Sequence, residues 1–164
     1  MRYRLVVLTV LLLQVSCSDN GTGPDRRRFD LQFRYGVLGR NELNTFDNTI
    51  TKDLILDGVA TTRLVLLQRE LDTLEARLVA IDIFSYPDTF VVQRGDTVLS
   101  ITPYPSYIVK VRMGTTWKKV IWEDSIVSSD PKATRLRETL EFIRALVQSK
   151  PEYNQLPPAR GGYM

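Results

Sequence analysis

The stretch YIVKVRMGTTWKKVIWE, Tyr107–Glu123, decides how the fold is read. Tyr107, Val109, Val111 and Met113 alternate with Ile108, Lys110 and Arg112, a period of two that gives a strand one apolar and one polar face. Gly114-Thr115-Thr116 turns the chain, and Trp117 to Glu123 returns as a partner strand. Parity then separates the two tryptophans. Trp122 shares a face with Val120 and is expected in the core, whereas Trp117 points the other way, beside Lys119.

Working outward, Phe29-Asp30-Leu31-Gln32-Phe33-Arg34-Tyr35 alternates at every step and predicts a half-buried strand. Thr45 to Leu56 and Val59 to Leu66 flank Asp57-Gly58, a dipeptide that favours a two-residue hairpin turn because both central positions need positive φ. Leu67, Leu71, Leu74, Leu78 and Ile81 recur at four-three-four-three spacing, one apolar stripe on a helix that stops at Tyr86-Pro87. Asp130-Pro131 is a helix start, the carboxylate capping and the proline fitting the first helical position. Leu136, Leu140, Ile143 and Val147 form that helix's buried stripe, and residues 151–164 read as an extended, poorly ordered tail. The expected order is β-β-β-α-β-β-α. It implies an α+β domain over 29–150, an antiparallel sheet of about five strands with two helices packed on one face.

The totals suit one such domain: 164 residues, 43% hydrophobic and 25% charged. The chain has no histidine and one cysteine. The first removes Ser-His-Asp and Cys-His nucleophile pairs and the common zinc sites; the second removes any intrachain disulfide. No metal site and no cofactor are expected. The formal charge of +3 includes Arg2 and Arg4; without them the 22 basic residues fall to 20 against 19 acidic, a net of +1. Nucleic-acid binding asks for a strong basic excess, so no nucleic-acid partner is expected.

Residues 1–16 read as a signal peptide. Arg2 and Arg4 form its positive start, and Leu5 to Leu13 (LVVLTVLLL) form an apolar stretch too short to span a bilayer of ~30 Å. Gln14-Val15-Ser16-Cys17 resembles a bacterial lipobox, with Gln14 where leucine is usual. That resemblance implies a diacylglyceryl group on Cys17, cleavage before it and a membrane partner reached through lipid; release by an ordinary signal peptidase is the rival reading. Two or three acyl chains hold a protein durably where one does not. Ser18, rather than aspartate, resembles an outer-membrane sorting address facing the periplasm. Residues 17–28 then form a flexible linker, with Gly21, Gly23 and Pro24, ending in Arg26-Arg27-Arg28, which suits anionic headgroups or plain solvation.

The hairpin, the leucine helix ending in Phe84-Ser85-Tyr86-Pro87, the Tyr107-x-Val109-x-Val111 strand, the glycine turn and the closing helix together resemble emfourin-type proteins over roughly 29–149. These are small bacterial inhibitors of thermolysin-like metalloproteases. The resemblance implies an inhibitor-like binding module, and no inhibitory residue is carried over.

Carboxylates are the remaining catalytic stock. Asp88-Thr89 and Asp96-Thr97 lack the glycine of an aspartic-protease turn, and a glycosidase needs two carboxylates facing across a cleft. No catalytic residue is assigned, and the domain is read as no enzyme. The better recognition candidate is Thr102-Pro103-Tyr104-Pro105-Ser106-Tyr107 with Trp117, because tyrosine and tryptophan supply contact area at little entropy cost. Tyr104, Tyr107 and Trp117 are the candidate binding residues, with Tyr104 and an exposed Trp117 expected to share a surface. The expectation is a lipid-anchored envelope lipoprotein with a small non-catalytic domain that binds a protein or envelope partner. The alternatives are an envelope scaffold and a carboxylate-dependent cell-wall hydrolase.

Overall fold

The alternation at Phe29–Tyr35 becomes the central strand of a computed structural model that describes residues 29–92 and 99–164. Cys17, the leader, the linker with Arg26–Arg28, and Asp96-Thr97 lie outside the described residues. The elements are β1 (Phe29–Tyr35), β2 (Asn41–Asn44), β3 (Thr49–Ile55), β4 (Gly58–Arg63), α1 (Gln68–Ala80), β5 (Thr89–Phe90), β6 (Ser106–Met113), β7 (Thr116–Glu123), α2 (Pro131–Gln148) and α3 (Pro151–Asn154). A short 3₁₀ turn, Ile83–Ser85, follows α1. The protein is an α+β domain.

The strands form one mixed sheet in the order β4-β3-β2-β1-β6-β7-β5, in which only β5 and β7 pair in parallel. Among the described residues this corrects the expected five antiparallel strands and two helices to seven strands and three helices. The additions are short: β2 is the polar Asn-Glu-Leu-Asn and β5 has two residues, too few for alternation to register. Thr45–Leu56 is likewise not one strand, because a turn at 45–48 separates β2 from β3. At the next turn the loop residues are Leu56 and Asp57. Gly58 opens β4 with φ 78°, and the other left-handed residue is Ile55, φ 63°, at a bulge in β3.

One face of the sheet is apolar. Leu31, Phe33, Leu43, Ile50, Val109, Val111, Val120 and Trp122 are buried there, and Leu74, Leu78, Leu136, Leu140, Ile143 and Val147 of the two long helices close over them in one core. Each such side chain contributes roughly 1.5–3 kcal/mol by leaving water. The α1 stripe runs from Leu71 to Ile81; Leu67 precedes the helix and is exposed. Asp130 caps α2, its Oδ1 accepting from the Ala133 N–H at 2.9 Å with Pro131 at the first helical position. Arg137 donates twice to Asp124, 2.7 Å each, tying α2 to the end of β7.

The free tail expected for 151–164 is corrected as well. Pro151–Asn154 form α3, with the Tyr153 ring under the Lys52 ammonium at 4.9 Å. Arg160 exchanges backbone bonds with the end of β3 and grips Asp57 with both arms at 2.5–2.6 Å, while the Tyr163 hydroxyl donates to Asp53. A bidentate pair and backbone bonds together offset the entropy that composition alone assigned to the tail. No helix among the described residues is long and apolar enough to cross a membrane.

Candidate functional site

The opposite face of the sheet carries no helix among the described residues. Its side chains come from the other parity of each strand; on β6 and β7 these are Lys110, Arg112, Trp117 and Lys119 towards the hairpin tip, with Ile108 opposite Ile121 and Ser106 opposite Glu123 beyond them. The hairpin sets Arg112 opposite Trp117 and Lys110 opposite Lys119. Trp117 is 48% exposed, against 1% for Trp122 five residues on.

Trp117 is not alone. Phe46 stacks on it with ring centroids 5.4 Å apart and planes 4° from parallel. Phe46 sits in the turn between β2 and β3, which the sequence builds from Asn44-Thr45-Phe46-Asp47-Asn48. Asn44 Oδ1 accepts from the backbone N–H of Phe46 at 3.0 Å and of Asp47 at 3.3 Å, a side-chain turn of the kind asparagine favours. Thr45 fixes the turn against β1, its N–H donating to the Leu31 carbonyl and its Oγ1 accepting from the Leu31 N–H. Phe46 is thereby set beside Arg112 and Trp117.

The cations surround the two rings. The Arg112 guanidinium lies 5.2 Å from both centroids, and Lys110 Nζ lies 5.0 Å from Trp117 and 5.8 Å from Phe46. A cation within about 6 Å of a ring face is attracted by its quadrupole. Arg112 is also held by Asp30 through Nη2, and its buried Nε has no hydrogen bond among the described residues. Next to the patch Lys118 binds Asp88 at 2.7 Å, and Lys118 holds the Asp88 carboxyl below its ordinary value. The whole is an aromatic stack with a basic rim, beside an open concavity of about 390 Å³ lined by Phe84, Asp88, Lys110, Trp117, Lys118 and Lys119.

The three aromatics expected to bind do not converge. Tyr107 is a core residue, its ring stacked on Phe33 and against Trp122, its hydroxyl reaching Glu141 at 3.5 Å. Burial first, then Glu141, pushes its phenol up to about 12. Tyr104 is half-buried in the loop before β6, whose first residue Ser106 pairs with Glu123. At ~3.4 Å per residue Ser106 lies some ~20 Å along the hairpin from the level of Trp117, and Tyr104 precedes it in the chain. The expected shared surface of Tyr104 and Trp117 is therefore corrected to Phe46 and Trp117. Phe46 was missed because Thr45–Leu56 read as a single strand; the cluster of Asn and Asp around it was the turn signal.

Two concavities lie elsewhere. One of about 220 Å³ opens between Tyr35, Tyr107, Glu141 and Arg144. The Tyr35 hydroxyl is sealed beside it with no hydrogen bond of normal geometry among the described residues, and burial, then Tyr153, raises its phenol above the ordinary value. Another of about 650 Å³ lies between Phe90, Val92, Trp122 and Ile126. No family model, no curated protein and no solved structure matches this chain.

Proposed function

We propose that this chain is a lipid-anchored envelope lipoprotein, held through Cys17, whose α+β domain binds an envelope component without catalysis through its helix-free sheet face. The observation that carries the reading is the stack of Phe46 on a Trp117 that is half in solvent, rimmed by Lys110 and Arg112. Exposed tryptophan beside arginine is the composition of binding hot spots. The carboxylates support it from the other side. Asp30, Asp53, Asp88 and Asp124 each lie against a cation, and Asp88 is held low, whereas a general acid needs a raised value. An emfourin-like inhibitor would be one version of this binding domain, and the outer membrane facing the periplasm is the address that Ser18 suggests.

Metabolic labelling with a tagged fatty acid, followed by crosslinking in intact cells, tests the reading. The native chain takes label and Cys17→Ser does not. Label retained on Cys17→Ser, or absent from the native chain, overturns the anchor.

A further inference from the structure

We infer that the Trp117 patch is a membrane-docking surface, and that its occupant is the anionic headgroup layer of the bilayer to which the chain is tethered. The inference rests on the lipid anchor proposed above and names the envelope component that the open face meets.

Strand register supplies the first argument. Phe29 pairs with Met113, Asp30 with Arg112, and these in turn with Thr116 and Trp117 on β7. The start of β1, the tip of the hairpin and Trp117 therefore lie at one end of the sheet. Chain arriving at Phe29 from Cys17 reaches the domain at that end. Twelve residues span about 40 Å at most. A domain of this size has a radius of gyration of about 14 Å. The span and the domain are comparable, so the end that carries Trp117 is the end kept at the bilayer.

Charge and ring chemistry supply the second. Tryptophan concentrates at the boundary of headgroups and acyl chains, where its ring is apolar and its N–H stays wet. Lys110 and Lys119 are exposed on the same face, and Arg26-Arg27-Arg28 directly precede Phe29 in sequence. Two nearby acids are ion-paired, Asp30 with Arg112 and Asp88 with Lys118, whereas Asp47 keeps its charge with one oxygen accepting from the Asn44 amide at 2.8 Å. Lys110 and Lys119 also face each other across the hairpin. Like charges directly opposite weaken a sheet. Attraction of both ammonium groups to an anionic surface offsets that repulsion.

The test uses the processed chain from residue 17 with Cys17→Ser, so that no lipid and no leader assist. Vesicles of phosphatidylcholine alone are compared with vesicles that also contain phosphatidylglycerol. Expected are binding to the anionic vesicles only, a blue shift of Trp117 emission over the unchanging signal of buried Trp122, and loss of both in high salt. The double substitution Lys110→Gln/Lys119→Gln weakens binding by roughly 25-fold, about fivefold per cation. Trp117→Ala abolishes the emission change. Both variants keep the native denaturation midpoint to within a small shift, because the three side chains are exposed. Binding that survives both variants is carried by Arg26–Arg28 and overturns the inference. Absence of vesicle binding while Trp117→Ala still loses a crosslinked protein in cells also overturns it, and leaves the proposed binding face intact. Failure of lipid labelling with vesicle binding preserved would strike the anchor alone.

Discussion

Two tryptophans five residues apart on β7 show what the two faces of this sheet do. Trp122 points into the core, in a run of rings that passes from Tyr86 through Phe90 and Trp122 to Tyr107, Phe33 and Tyr35, with neighbouring centroids 4.9–6.2 Å apart. Trp117 points out, with Phe46 as its one stacked ring and cations in place of helices. The residue type is the same, and strand parity alone assigns one to folding and the other to contact. The lesson is that aromatic content says little until its face is known.

The comparison breaks first, and hardest, at Trp122. Trp122→Ala removes a side chain that is 1% exposed and touches two rings, and should cost about 3–5 kcal/mol in chemical denaturation. Asp124→Ala frees Arg137 at the end of the same strand. Because Arg137 is 32% exposed and reaches water, the loss should be about 2 kcal/mol rather than that of a sealed pair. Trp117→Ala, by contrast, should cost under about 1 kcal/mol in the same assay. A loss at Trp117 as large as that at Trp122 would mean that the open face is part of the core.

Alkali sharpens the comparison on the covered face. Burial holds Tyr107 up to about 12 and Tyr35 above its ordinary value, so both phenols stay protonated in the folded state. Their contribution is complete below the unfolded value of 10 and is lost as pH rises from 10 through 12. Denaturation midpoints should fall across that window, and Tyr107→Phe should flatten the fall; an unaltered slope would contradict it. The smallest effect is expected at the edge. Arg160→Ala should leave global stability nearly unchanged but speed hydrogen exchange at the amide of Leu56, which donates to the Arg160 carbonyl through a segment held by the Asp57 pair.

Legibility in the sequence followed segment length and local chemistry. Seven alternating residues made β1 plain, and parity alone separated Trp122 from Trp117. Asp130-Pro131 announced α2 because a cap is a local event. Four residues at β2, of which only Leu43 is apolar, and two at β5 carry no periodicity, so their strands exist only through pairing with β1, β3 and β7. Phe46 escaped for the same reason, since its partner lies 71 residues away in the chain and only sheet order brings them together. The C-terminal segment escaped because its composition is that of a tail, while its anchors, Asp53 and Asp57, are remote.

The most direct test of the central claim is crosslinking in intact cells of native chain and Trp117→Ala, matched for abundance and for denaturation midpoint. If the open face is the contact surface, the variant loses its crosslinked envelope component while keeping its fold and its lipid. An undiminished crosslink in a folded, lipidated Trp117→Ala would contradict the account and move recognition to another face of the domain.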